Sequence, residues 1–347
     1  MNRPGTGESA PRSDVRPVGL VTGRLGRRRA LQSALAASSA LALLLWWLLP
    51  SGGPSYPHRP ISFATGVANG VYEKYGMLLK SDLTAALPGV EVNLLNTEGS
   101  VENIERVASG RADFTIAAAD AVADYHGRGK SDLRACARLY DDYMQLVVPR
   151  SSTVRAAKDL RGLRVGVGQA GSGVNLITRR LLAAAGLDIT KDIQAYPVGI
   201  DQAPAMLMGG KLDAFFWSGG LPTAAVTAMA TPVDRIRLVQ LGDLVKPLHA
   251  MGASMQYYRQ AVMPADAYPK AQDGRAVATI AVANLLVTTD HANAGLVERL
   301  TRAVIASRDA IGKKVHAAQL VDLRTAVFTD PLPLHEGAER YYRSVKP

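Results

Sequence analysis

A single cysteine, Cys136, stands among 347 residues. It leaves no partner for an internal disulfide and too little thiolate for a metal cluster. Its apolar setting, Leu133 to Leu139, is that of a small buried hydrophobe. Histidine is scarce too: the six are scattered, with no His-x-x-x-His pair, and no Gly-x-Ser-x-Gly elbow occurs. Metal-assisted and nucleophilic catalysis therefore both lack their usual residues, and neither a catalytic residue, a metal nor a cofactor is expected. Aromatics make up 6% of the chain, a weak supply for stacking bases, so nucleic acid is not an expected partner.

Long hydrophobic runs are absent except for one, Ala30 to Leu49, which carries no charge and ends in Leu43-Leu44-Leu45-Trp46-Trp47-Leu48-Leu49. About 20 apolar residues suffice to cross a bilayer as a helix. The formal charge is +10, and residues 1–50 hold seven Arg against Glu8 and Asp14, a net +5 placed ahead of that run. This order puts the N-terminus in the cytoplasm and everything after Pro50 outside. A cleaved signal peptide and a retained anchor are the two readings. Bulky Trp and Leu stand where a small-residue cleavage site would be, which favours the anchor. Residues 1–29 are then a disordered basic cytoplasmic tail, 30–49 a single-pass transmembrane signal-anchor of the cell membrane, and 50–60 a Pro/Gly/Ser linker.

From Ile61 onward strand and helix patterns alternate, the sign of βαβ units and a parallel sheet. Strands are predicted over 61–65, 91–96, 113–118, 143–149, 163–168, 193–198, 213–217 and 236–241. Helices are predicted over 71–87, 99–108, 172–185, 203–208, 222–230 and 296–315, and residues 254–263 read as a strand. The alternation runs twice through one plan, implying two α/β lobes that face each other: residues 61–147 with 253–347, and residues 148–252. Ligands of open α/β sheets sit beyond the carboxyl ends of the strands, so the two glycine-serine turns would flank one cleft.

One of these turns is Gly166-Val167-Gly168-Gln169-Ala170-Gly171-Ser172-Gly173, ahead of an apolar-periodic helix. It spells the dinucleotide fingerprint, with Asp188 or Asp201 as possible ribose acids. Its mid-chain place, the helix-end turn around Asp188 and the export segment oppose that reading. The other is Thr97-Glu98-Gly99-Ser100-Val101-Glu102-Asn103, where Ser100 is expected to cap the helix with Asn103 three residues on. A third junction is Thr65-Gly66-Val67-Ala68-Asn69-Gly70-Val71-Tyr72, whose Tyr72 either reaches a ligand or packs. Asp120 ends a strand and could accept a hydrogen bond from a ligand's amine or hydroxyl. Asp213 reads as a turn residue, Asp141-Asp142 as a solvated turn or hinge contact, and Arg179-Arg180 as a solvated helix face.

In order and spacing, these pieces resemble the TAXI-type solute receptors of TRAP transporters (TRAP-associated extracytoplasmic immunogenic proteins), from about Ile61 to Tyr342. Further elements of the match are Asp159-Leu160-Arg161-Gly162-Leu163-Arg164-Val165, Gly210-Lys211-Leu212-Asp213-Ala214-Phe215-Phe216-Trp217-Ser218-Gly219-Gly220-Leu221-Pro222, Met263-Pro264-Ala265-Asp266-Ala267-Tyr268 and His335-Glu336-Gly337-Ala338-Glu339-Arg340-Tyr341-Tyr342. The resemblance implies a two-lobed, type II periplasmic-binding-protein-like α/β fold, each lobe a mostly parallel sheet flanked by helices. It also implies a monomer without enzymatic activity that closes on a small anionic or zwitterionic solute, glutamate-like or dicarboxylate, and delivers it to a TRAP permease. The same fold could instead serve as a sensor. Carried over, the ligand-binding residues are Thr65, Gly66, Tyr72, Thr97, Gly99, Ser100, Asn103, Asp120, Gly171, Ser172, Gly173, Trp217 and Gly219. Val174 stands where Thr is common in the family, which points to an altered specificity. No basic residue stands out as a carboxylate clamp, Arg138 and Lys74 being the candidates.

Overall fold

Ten strands of one sheet organise the chain in this computed structural model, which describes residues 56–230 and 235–345 and the single positions Gln32, Ser38, Ser39 and Leu41. The expected membrane-spanning stretch 30–49, the tail 1–29 and most of the linker lie outside the described residues. Among those described, no helix is long and apolar enough to cross a membrane. The described residues from 56 to 345 pack as one compact unit.

The first part of the chain gives β1 (Ile61–Ala64), α1 (Val71–Ala86), β2 (Val92–Leu95), α2 (Ser100–Ala108), β3 (Phe114–Ala118), α3 (Ala119–Asp124) and the long β4 (Leu133–Pro149). The middle gives β5 (Arg164–Gly166), α4 (Gly173–Ala184), β6 (Gln194–Tyr196), α5 (Ala203–Met208), β7 (Ala214–Gly219), α6 (Ala224–Ala230), β8 (Ile236–Val239) and α7 (Val245–His249). Then come β9 (Tyr258–Met263), α8 (Pro269–Gln272), β10 (Val277–Thr289), α9 (Ala294–Ala306), α10 (Arg308–Gly312) and α11 (Glu336–Val345).

The sheet runs β2-β1-β3-β10-β4-β7-β5-β6, with β8 on β4 and β9 on β10. Its two ends, β2-β1-β3 and β7-β5-β6, are parallel, as βαβ units require. Between them β10 and β4 run antiparallel to their neighbours and join the ends. Each long strand serves both ends. Residues 133–143 of β4 register with β10, whereas Tyr143–Val147 register with β7. Likewise Asn284–Val287 of β10 pair with β3, whereas Val277–Val282 pair with β9.

β10 departs from the sequence expectation, which placed no strand there. Thr279–Val282 and Asn284–Thr288 are buried on both faces, and a run without apolar-polar alternation shows neither strand nor helix periodicity. The helix predicted over 296–315 is two helices. Ser307 bonds its hydroxyl to Ala303 O at 2.7 Å and ends the first. Residues 254–263 likewise divide into a 3-10 turn, Ala253–Tyr257, and β9.

Two cores cover the sheet. Tyr75, Leu79 and Leu83 of α1 meet Leu296, Leu300 and Val304 of α9 in one. Ile177 and Leu181 of α4 meet Val165 and Phe215 in the other. The second core also holds Ile104 and Val107 of α2, so it anchors both helices whose N-termini meet at the site.

Candidate functional site

Helices α2 and α4 begin at opposite ends of the sheet and meet tip to tip. Gly99 forms the N-cap of α2 at φ 126°, and a Cβ there would stand 3.5 Å from Ser172 Cα. The Glu102 N–H donates to Gly171 O at 3.0 Å, so the two turns are hydrogen-bonded to each other. Between them and the sheet lies a cavity of about 650 Å³, its open mouth included. Of the residues singled out from sequence, Gly66, Tyr72, Gly99, Ser100, Asp120, Ser172, Gly173 and Trp217 line it.

Thr65, Thr97, Asn103, Gly171 and Gly219 are not among its lining residues. Asn103, fully buried, donates to Thr65 O at 2.7 Å and Ile116 O at 2.9 Å and accepts from Thr97 Oγ1 at 2.6 Å. It ties the carboxyl ends of β1 and β3 to the turn before α2. Thr65 Oγ1 bonds Leu95 O at 3.1 Å. A Cβ on Gly219 would reach 2.5 Å from Trp217 Nε1, so this glycine makes room for the indole.

The hydroxyls of the wall are occupied by one another. Ser100 is the first residue of α2 rather than its cap; its Oγ accepts from the Ala118 N–H at 3.1 Å. Tyr72 OH donates to Asn284 Oδ1 at 2.5 Å and lies 3.1 Å from Ser100 Oγ. A phenol has one proton, so Ser100 donates to Tyr72. Ser172 caps α4, accepting from the Asn175 N–H at 3.0 Å while donating to Gln169 O at 2.6 Å. Trp217 Nε1 donates to Thr223 Oγ1 at 3.0 Å, leaving the cavity an aromatic face.

Of the buried side-chain atoms without a hydrogen-bond partner, the two on lining residues are carboxylate oxygens. Asp120 and Asp142, 1% and 4% exposed, both line the cavity, and each has one oxygen, Oδ1, without a hydrogen-bond partner. Asp120 Oδ2 accepts from Tyr258 OH at 2.6 Å, and Arg180 Nη1 stands 3.6 Å away. Burial raises the Asp120 pKa, against the lowering effect of Tyr258 and Arg180. Burial pushes Asp142 up to about 7, opposed by the neighbouring polar groups of Asn284 and Tyr72 and reinforced by the charges of Asp141 and Asp120.

Two sequence readings are corrected here. Asp142 is no solvated turn: it sits mid-strand in β4 and points inward, while Asp141 points out to Arg138 (2.6 Å) and Arg259. Period-two alternation on a strand predicts this split of a neighbouring pair. Arg180 is no solvated helix face. It is 8% exposed, donating to Tyr258 OH at 2.8 Å and Asp124 Oδ1 at 2.5 Å. Its place three residues after Ile177 on the buried side of α4 carried that signal. Neither proposed carboxylate clamp lines the cavity: Arg138 is paired with Asp141, and Lys74 borders a separate groove beside Met77 and Met229.

The glycine fingerprint has a packing explanation. A Cβ on Gly166 would lie 2.8 Å from Phe215 Cβ, and one on Gly168, at φ 79°, would lie 2.7 Å from Val174 Cβ. Asp188 bonds within its own turn to Thr190. As a turn residue Asp213 holds Arg164 in a bidentate pair (2.7 and 3.0 Å) and accepts its backbone N–H at 2.8 Å.

Comparison with solved structures gives the fold its class. The chain is similar to the periplasmic binding protein BugD (TM-score 0.53, 14% identity, 83% of this chain and 96% of that one). It is also similar to a protein described as a periplasmic transporter (TM-score 0.50, 16% identity, 84% and 93%). The periplasmic aliphatic sulphonate binding protein SsuA from Escherichia coli aligns with TM-score 0.42 at 16% identity over 84% of each chain. The fold is α/β and periplasmic-binding-protein-like. A family model matches residues 63–345, almost all of the described chain, and the protein belongs to the NMT1-like family.

Proposed function

We propose that the protein is an extracytoplasmic receptor that encloses a small solute between α2 and α4 and hands it to a membrane permease. The observation that carries this reading is the cavity itself: two helix N-termini from opposite ends of the sheet close over it, and no His or Cys is among its lining residues. Its Ser100 and Ser172 hydroxyls are spent on Ala118 N–H and on the start of α4 rather than paired with a base, so the wall suits binding rather than turnover. The lobes, 61–147 with 253–347 and 148–252, move as bodies about β4 and β10, the two strands that pass from one end of the sheet to the other.

The TAXI subtype and delivery to a TRAP permease rest on the ordered motifs of the sequence; the retained N-terminal anchor rests on residues 30–49. A dicarboxylate fits the wall less well than a zwitterion, because a second carboxylate would face Asp120 and Asp142 without a cation.

Trp217 lines the cavity, so its fluorescence reports filling. Titrating the purified full chain with amino acids, amines, organic acids and sulfonates should give a saturable fluorescence change and a raised Tm with at least one class. A folded chain that answers to none of them would refute the receptor reading.

A further inference from the structure

We infer that the cleft selects a solute carrying a protonated amino group, held between the carboxylates of Asp120 and Asp142. The inference rests on the receptor reading above and names the solute class of the same site.

Three charged side chains line the cavity, Glu98, Asp120 and Asp142, and all are acidic. Arg180 stands 3.6 Å from Asp120 Oδ2 and is shared with Asp124 and Tyr258. It offsets one of these charges, and the groups that chiefly act on Asp142 are Asn284, Tyr72, Asp141 and Asp120, none of them a cation. The hydroxyls of Ser100, Tyr72 and Ser172 are already paired: Ser100 with Ala118 and Tyr72, Tyr72 with Asn284, Ser172 with Gln169 and Asn175. Asp120 Oδ1 and Asp142 Oδ1 are buried without a partner, as is the amide Nδ2 of Asn284, a neighbour of Asp142 that does not line the cavity.

A buried acceptor without a donor is costly, and two carboxylates that share a cavity repel. A cation that brings its own N–H donors relieves both penalties at once. An ammonium has three such donors, enough to meet both oxygens. The aromatic faces of Tyr72 and Trp217 on the same wall also favour a cation over an anion. Val174, Ile177, Val198 and Phe216 supply an apolar wall for the rest of the solute, so its body is small and largely apolar. Val174, where relatives of the resembled family carry a hydroxyl, contacts that body and not the charge.

Isothermal titration of the full chain at pH 8 tests this with L-alanine, L-lysine and n-butylamine against succinate, ethanesulfonate and N-acetyl-L-alanine. At least one amine should bind, the N-acetylated partner of a bound amine should bind at least tenfold more weakly, and the dicarboxylate and sulfonate should not compete. Asp142→Asn, which keeps the side chain's shape, should weaken the bound amine at least tenfold while its circular dichroism stays native. Asp120→Asn should weaken it as well. Binding of succinate or ethanesulfonate in place of every amine would overturn the inference and leave the receptor reading standing. So would amine binding that Asp142→Asn leaves unchanged. Binding of no probe of either charge would overturn the receptor reading, and this inference with it.

Discussion

Asp142 trades stability for a charge held in the cavity. Its pKa lies at about 7 against 3.8 for an unperturbed side chain. Between those values the unfolded chain has lost the proton while the folded one keeps it, so stability falls as pH rises from about 4 to 7. At about 1.4 kcal/mol per unit, the burden above pH 7 is roughly 4 kcal/mol. The groups facing it are Tyr72 from α1, Asn284 from β10, Asp120 from α3, and Asp141 and Tyr140 from its own strand. No basic group is among them, so nothing there reverses the sign. Asp142→Asn is therefore expected to raise the Tm of the solute-free protein at pH 8 and to change it little at pH 4. Thermal unfolding at both pH values checks this. For the wild type, amine affinity should rise from pH 6 to pH 8, because the ammonium binds the ionised carboxylate. In Asp142→Asn that rise should largely disappear. A variant that gains stability as it loses binding has given up a strained functional group.

At the scale of elements, the turn from β5 to α4 shows why glycines cluster without a cofactor. Gly168 holds φ 79°, a conformation that costs an L-residue roughly 1–2 kcal/mol, and its missing Cβ leaves room for Val174 Cβ and the Asn175 N–H. Gly168→Ala is expected to destabilise by about 2–4 kcal/mol, strain and overpacking together. It should also displace the first turn of α4, weakening solute binding beyond what the lost stability explains. Chemical denaturation and titration, side by side, measure the two effects. Elements of this kind were legible in the sequence: each βα turn near the site appears there as a strand, a glycine turn and an apolar-periodic helix. β10 was not, because burial on both faces removes the alternation that marks a strand. The site was legible in part for a similar reason. Gly99, Ser100 and Ser172 announce themselves through turn chemistry, whereas the inward face of Asp142 depends on the phase of β4. Helical spacing after Ile177 marks Arg180 as inward, but the partners that hold its charge, Asp120, Asp124 and Tyr258, are all far from it in the chain.

For the whole molecule, the bonds that close the cavity lie between segments far apart in sequence, and they define what opening must break. Glu102 N–H to Gly171 O, and Arg180 to Asp120 and Asp124, join α2 and α3 to α4. Beside them, one apolar core takes in Ile104 and Val107 of α2 as well as Ile177 of α4, so opening must break part of that packing along with the buried ion-pair cluster. That cluster contributes modestly, since desolvating Arg180 and Asp120 offsets much of their attraction. An ammonium between Asp120 and Asp142 would shift the balance, because it binds the closed arrangement and has no equivalent partner when the ends separate. Amide hydrogen exchange is the direct measure. Saturating amine should slow exchange across residues 99–103 and 171–175 at least tenfold, a shift of about 1.4 kcal/mol in the opening equilibrium. Exchange in β1, β3 and β7, whose protection reports unfolding of the sheet, should change much less. Equal slowing throughout would mean that solute stabilises the fold as a whole, and closure about β4 and β10 would then have to be abandoned.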